Sequence, residues 1–200
     1  MDRMYEVEST IGYVLNYHNV GDADRRYRIL TAEHGVIIIK ATSVRKEKSK
    51  MRHYLQRFNL VSIDYIHGRV GYKVIGGEIV TRLRAEPAIL GVIARVGELI
   101  ERLSQGEESS EELFGVFDDL MHMVNNDDEG MYHTYKTVLE LWSKARVLRA
   151  FGYFDASTVT GLPEELFEVS TLTREQLMIV SLEEKRLEKL VTESVMQTML

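Results

Sequence analysis

Hydrophobic and polar positions alternate over short runs in the first 85 residues, and each run stops at turn-forming residues. Between Val7 and Asn16, Ile11, Tyr13 and Leu15 recur at period two, and Gly12 inside the run marks a candidate bulge or bend. Asn19 to Asp24 is turn-type sequence. Tyr27 to Thr31 reads as a short strand, and Glu33-His34-Gly35 as a tight connection that puts Gly35 at positive φ. Val36 to Ile39 is an unbroken β-branched run, the pattern of a strand buried on both faces. Leu60 to Ile66 and Gly71 to Ile75 flank His67-Gly68-Arg69 as a hairpin turn, and Gly76-Gly77 bends the chain into a last strand, Glu78 to Leu83. Five or six short strands in about 80 residues predict a small, closed or nearly closed β-barrel.

Around Pro87 the spacing changes to three and four. Ile89, Leu90, Ile93, Val96, Leu99, Ile100 and Leu103 share one face of a helix that ends near Gly106. Ser109-Ser110 reads as an N-terminal cap, with Glu111 and Glu112 in the first turn of a second helix carrying Leu113, Phe114, Phe117, Leu120, Met121 and Val124. That helix stops at the polar run Asn125 to Gly130. A third spans Met131 to Phe151, with Tyr135, Val138, Leu139, Trp142, Ala145 and Leu148 on one side and Gly152 as its C-cap. Residues 155–172 read as irregular, and Glu183 to Met199 as a last helix with Leu187, Leu190, Val191 and Val195 inward. The expected class is α+β: a barrel domain over residues 1–85, then an all-α domain over residues 86–200.

Composition narrows the chemistry. Two hundred residues suffice for a real core. With no cysteine, disulfides, thiolate zinc sites and thiol catalysis are excluded, and a reducing compartment fits. No apolar run approaches the roughly 20 residues of a membrane span, and Met1 to Glu6 lacks the basic and apolar regions of a signal peptide. The expectation is a cytoplasmic protein with no membrane partner. No Walker-type phosphate loop is present, so neither ATP nor another cofactor is expected.

Charge divides the chain. Residues 1–85 hold 15 Lys and Arg against 9 Asp and Glu, a net of +6, whereas residues 86–200 hold 10 against 22, a net of −12. Association responds to the local field within a Debye length of about 8 Å, not to the average. The densest cluster is Arg45-Lys46-Glu47-Lys48-Ser49-Lys50-Met51-Arg52, leaving the Val36-to-Ile39 strand. Arg25, Arg26 and Arg28 precede it, and Arg57, Arg69 and Lys73 follow. Loops of a barrel can converge on one rim, so Arg25, Arg26, Arg45, Lys46, Lys48, Lys50, Arg52 and Arg57 are candidate phosphate contacts; the alternative is a solvated charged loop. Tyr13, Tyr17, Tyr27, Tyr54, Phe58, Tyr65 and Tyr72 interleave with these charges, as stacking platforms or as core.

The residues also carry a family resemblance. Ile11 to Leu15, Gly21 to Arg25 and Ile29 to Gly35 resemble the opening of the bacterial recombination mediator RecO family, and Arg45 to Arg52 and Leu55 to Leu60 follow in that family's order. Leu141 to Tyr153 resembles its helix ending in Gly-Tyr. The resemblance implies an OB-fold barrel and a helical domain. It further implies binding of single- and double-stranded DNA, strand annealing, and assistance in loading recombinase onto DNA coated with single-strand-binding protein. Its implied partners are RecR and the acidic tail of single-strand-binding protein, and its implied setting is the bacterial nucleoid. Many members carry a four-cysteine zinc site after the Gly-Tyr helix; from Asp155 onward this chain has none.

An acidic tail ending in an apolar residue calls for an apolar pocket rimmed by cations, and Lys144, Arg146 and Arg149 are candidates on one helix; their alternative role is support of that helix's last turn. Asp118 and His122, spaced i, i+4, could share a metal, but two ligands do not make a site and an exposed salt-bridged pair is the favoured reading. Asn125 to Glu129 lacks the spacing of a calcium loop. The leading expectation is a non-enzymatic DNA-binding mediator. The alternatives are an adaptor whose helical half docks a partner with little DNA binding, and a metal-dependent nuclease around Asp118 to Glu129.

Overall fold

A computed structural model of the chain describes residues 6–68, 71–104, 111–127 and 129–199. The chain divides into two compact units, Met1–Leu83 with Ser104–Phe114, and Arg84–Leu103 with Gly115–Leu200.

In the first unit β1 (Val7–Val20), β2 (Asp24–Thr31), β3 (Gly35–Ala41), α1 (Met51–Tyr54), β4 (Leu60–Gly68) and β5 (Gly71–Thr81) follow in order. The strands close in the order β1-β2-β3-β5-β4, with β3 and β5 parallel and all other neighbours antiparallel. This five-stranded closure is the OB-fold. Gly35 takes φ 59 in the β2–β3 turn, as its position predicts. The strands number five, within the expected range, and are longer than the turn signals suggest. β1 runs on through Asn19 and Val20, and Gly76-Gly77 lies inside β5 instead of starting a sixth strand.

Closure needs curvature, and bulges and glycines supply it, among them register shifts between β4 and β5 at Leu60/Val61 and Asp64/Tyr65. The bulge in β1 falls at Leu15, between the pairs Val14–Ile29 and Asn16–Arg28, and not at Gly12. Gly12 serves a close approach: a Cβ there would lie 2.6 Å from Ile29 Cγ2 and 2.7 Å from the Leu30 carbonyl. Gly77, at φ +150°, would bring a Cβ to 2.4 Å from the Ser62 carbonyl, so only glycine lets β5 cross β4 there. Inside the barrel Val14, Tyr27, Ile29, Ile37, Ile39, Leu55, Val61 and Ile63 pack together. β3 is therefore buried on one face only. Ile37 and Ile39 point in while Ile38 is 48% exposed, because a barrel has a single interior.

The second unit is helical. α2 (Pro87–Leu103), most of α3 (Glu111–Asn125), α4 (Met131–Thr134), α5 (Lys136–Ala150), α6 (Arg174–Leu182) and α7 (Glu184–Gln197) are joined by 3₁₀ turns at Ala156–Thr158 and Glu164–Phe167. The predicted caps Ser109 and Ser110 lie outside the described residues. The single helix expected over Met131 to Phe151 is interrupted at Tyr135, whose φ of −101° and ψ of 27° are not helical. α5 is buried on nearly every side, not along one stripe, since it packs against α2, α4, α6, α7 and the Glu164–Phe167 turn. Trp142 Nε1 donates to the Leu166 carbonyl at 2.6 Å and Tyr132 Oη to the Leu172 carbonyl at 3.1 Å, which fasten the irregular segment to the bundle. Gly152 ends α5 with φ 76, its N–H donating to Arg149 and that of Tyr153 to Leu148, the pattern of a Schellman cap. α6 escaped the periodicity reading, although Thr173 and Gln176 form a capping box that announces it. Among the described residues no helix is long and apolar enough to cross a membrane.

Replacing Gly12 by alanine is expected to destabilise the barrel by about 1–3 kcal/mol, because the new methyl overlaps β2 on both a side chain and a carbonyl. A urea titration read by circular dichroism checks this, and an unchanged midpoint would contradict the close approach.

Candidate nucleic-acid interface

Successive residues of a strand face opposite sides, so the basic residues of the barrel sort by parity. On β2, Arg26 and Arg28 point outward, while Arg25 has the inward parity of Tyr27 and emerges at the barrel's end. Its guanidinium lies over the Tyr17 ring at 4.1 Å, and its Nε donates to Asn19 Oδ1 at 3.2 Å. Arg25 and Arg26, adjacent in sequence, therefore do not share a face.

The outward parity assembles a row that adjacency in sequence conceals. Arg26 is the cross-strand partner of His18 on β1 and of Lys40 on β3, and Lys40 is the partner of Lys73 on β5. Neighbouring strands lie about 4.8 Å apart, so these four side chains cross four strands in roughly 15 Å. Arg28 sits next to the row on β2, opposite Asn16 and Ile38. Lys40 was absent from the sequence candidates. Its signal was its place in Ile38-Ile39-Lys40-Ala41, at the parity of the exposed Ile38.

One carboxylate enters this field. Asp24 pairs with Lys40 Nζ at 2.8 Å and accepts the Ser43 N–H at 2.8 Å. The hydrogen bond from Lys40, then that from Ser43, holds the Asp24 carboxyl below its ordinary value of 3.8.

The loop after β3 is pinned to the β1–β2 turn. Arg45 N–H donates to the Ala23 carbonyl at 2.9 Å, and its Nη1 to the Gly21 carbonyl at 3.0 Å. Arg45 is thus a fastener that brings the loop to the end of β2 and β3. Lys46, Lys48, Lys50 and Arg52 are exposed, and among the described residues their charged groups form no ion pair; the same holds for Arg26 and Lys73. Arg57 stands apart from this group: its Nε donates to the Leu15 carbonyl at 3.3 Å on the bulged edge of β1, and it lies over Phe58 at 5.0 Å. Arg69 lies outside the described residues. Of the seven aromatic candidates, Tyr13, Tyr27, Tyr54, Phe58 and Tyr65 are buried in the core, which removes them as stacking platforms; only Tyr17 and Tyr72 keep exposed surface. Burial pushes the Tyr54 and Tyr65 phenols up to about 12. OB-folds take oligonucleotides on the face of the second and third strands and the neighbouring loops. That is where the outward row and the unpaired lysines lie.

The helical unit treats its cations differently. Lys144 pairs with Glu140 at 2.6 Å, Arg146 with Asp119 at 2.8 Å and Arg149 with Glu168 at 2.7 Å. Arg146 is 8% exposed and lies over the Trp142 ring at 4.7 Å. These three residues face three different carboxylates, two of them on elements other than α5. Burial pushes the Glu140 carboxyl up, but hydrogen bonds from Arg95 and Lys144 outweigh it and the net shift is downward. Asp127 uses both carboxylate oxygens to accept the N–H groups of Met131 and Tyr132, capping α4. Among the described residues no three His, Asp or Glu side chains come together as a metal cage.

Residues 4–81 match the family described as Recombination protein O N terminal. Relatives described as DNA repair protein RecO extend the similarity. The protein of Trichodesmium erythraeum is 25% identical over 169 residues, 82% of this chain and 56% of its own. That of Myxococcus xanthus is 27% identical over 121 residues, 58% of this chain and 50% of its own. That of Cutibacterium acnes is 41% identical over 56 residues, 28% of this chain and 23% of its own. The chain thus spans about half the length of the first of these relatives.

Because the folded carboxyl of Asp24 is depressed, its contribution to stability is present above the ordinary value and lost as pH falls through the folded one. Thermal midpoints of the native chain and Asp24→Asn, measured from about pH 2 to 7, are expected to differ by a constant amount above about pH 5 and to converge in acid. Parallel curves throughout would show that the pair contributes nothing.

Proposed function

We propose that this chain, whose residues 4–81 match the recombination protein O N-terminal family, is a DNA-binding mediator of recombination and repair, acting as a binding protein and not as an enzyme. What supports the reading is one arrangement: the outward row of Arg26, Lys40 and Lys73 beside a loop whose Lys46, Lys48, Lys50 and Arg52 form no ion pair among the described residues. In the helical unit Lys144, Arg146 and Arg149 are each matched by a carboxylate. Cations left unmatched on a sheet face fit a polyanion.

The proposed mechanism is electrostatic capture. Each phosphate neutralised releases counterions to bulk, which drives binding without reading sequence. Two strands held on one basic face repel each other less and meet at a raised local concentration, which favours annealing. The family match further suggests recombinase loading onto DNA coated with single-strand-binding protein, with RecR and that protein's acidic tail as partners in the bacterial cytoplasm.

The test is the salt dependence of oligonucleotide affinity for the full chain, read by fluorescence anisotropy. Reversing Lys46, Lys48 and Arg52 to glutamate is expected to weaken binding at least tenfold at low salt and to reduce the slope of log K against log salt by about 2, from roughly 0.7 per contact. Affinity and slope equal to those of the native chain would move the DNA site elsewhere. An absence of DNA binding in the native chain would favour a protein-docking adaptor.

A further inference from the structure

The basic row crosses the barrel at its weakest seam. Among the described residues β3 and β5 share two partner pairs, Ile39–Tyr72 and Lys40–Lys73, whereas each of the other four seams has seven to nine. The inward pair is apolar, with Ile39 buried and Tyr72 edge-on to Tyr65 at a ring separation of 5.3 Å. The outward pair sets Lys40 and Lys73 at partner positions of neighbouring strands, and like charges at such positions weaken a sheet. Asp24 compensates Lys40 alone. Lys73 on one side and Arg26 on the other keep their charge unpaired among the described residues, so three cations on adjacent strands meet one carboxylate.

We propose that Arg26, Lys40 and Lys73 form a phosphate site whose occupation closes the β3–β5 seam. A phosphodiester oxygen placed between the two lysines turns their repulsion into a bridge from β3 to β5, and the Arg26 guanidinium can hold a second oxygen of the same group. Binding and barrel closure are then one equilibrium, since a ligand favouring the closed form stabilises it by mass action. The inference deepens the nucleic-acid reading and rests on it for the natural ligand, a backbone phosphate of the bound strand. The seam itself can be tested apart from that reading.

Hydrogen–deuterium exchange on the full chain, followed in peptides covering Gly35–Ala41 and Gly71–Thr81, reads the seam directly. The probes are a thymidine oligonucleotide, inorganic phosphate, and chloride at matched ionic strength. Oligonucleotide is expected to slow exchange in both segments, phosphate to do so more weakly, and chloride not at all, with Val7–Tyr13 unaffected. Lys73→Gln is expected to slow exchange roughly two- to fivefold without ligand, since the repulsion is gone, and to abolish the slowing by ligand. Lys73→Arg keeps the charge and is expected to retain it, which keeps the test valid if the glutamine variant folds poorly. Oligonucleotide that binds the native chain while both segments exchange unchanged would overturn the seam site and leave the DNA reading standing. Full ligand protection in Lys73→Gln would also overturn it. Seam protection by inorganic phosphate without oligonucleotide binding would support the site while the DNA reading failed.

Discussion

Five strands close into a barrel only if they coil sharply, and everything on the outer face follows from how this chain coils. β1 must serve β4 along its first half and β2 along its second. It turns from one to the other at Gly12 and the Leu15 bulge. β5 crosses β4 at Gly77, where the backbone has room for no side chain. Shifting any of these by one residue would exchange inward and outward positions along a whole strand. The alignment of Arg26, Lys40 and Lys73 is therefore a product of curvature as much as of composition.

The two units use the same residue types to opposite ends. In the helical unit Arg95 and Lys144 share Glu140, and Arg146 lies buried against Asp119 and Trp142. Fully exposed ion pairs contribute at most about 1 kcal/mol each, whereas the Glu140 carboxylate is only 15% exposed. Removing one partner of a nearly buried pair such as Arg146–Asp119 costs several times more, because a charge is stranded. The cations of the barrel's outer face contribute little to folding, and the Lys40–Lys73 rung opposes it. The opposed net charges of the two halves thus correspond to a division between residues that hold structure and residues held in reserve.

Much of this was legible from residue order, and the failures have physical causes. Period-two runs locate the strands, and Gly35 marks the β2–β3 turn because its φ of 59 favours a residue without Cβ. Period-three-and-four spacing locates α2 and the apolar positions of α3. Periodicity does not report which strands become neighbours. β3 meets β5 only because the chain crosses over, so the pairing of Lys40 with Lys73 has no trace in either segment alone. Parity was available in the sequence and would have separated Arg25 from Arg26. The uniform Val36-to-Ile39 run hid the exposed face of β3, since four β-branched residues look the same whichever side is covered. α6 was lost to weak amphipathicity, with Met178, Ile179 and Leu182 left exposed, although its Thr173–Gln176 cap was readable.

The encirclement of α5 has a consequence for synthesis. All five strands of the barrel have been made once Thr81 is added, so the sheet can begin to form while the rest of the chain, including the Ser104–Phe114 part of that unit, is still being extended. α5 has no such freedom. Trp142, Val147 and Leu148 are covered in part by α2, made before them, and in part by α6 and α7, made after. At typical rates the stretch from Phe151 to Gln197 takes roughly 2–10 s to translate. For that interval a helix destined to be buried on nearly every side stands without its downstream cover.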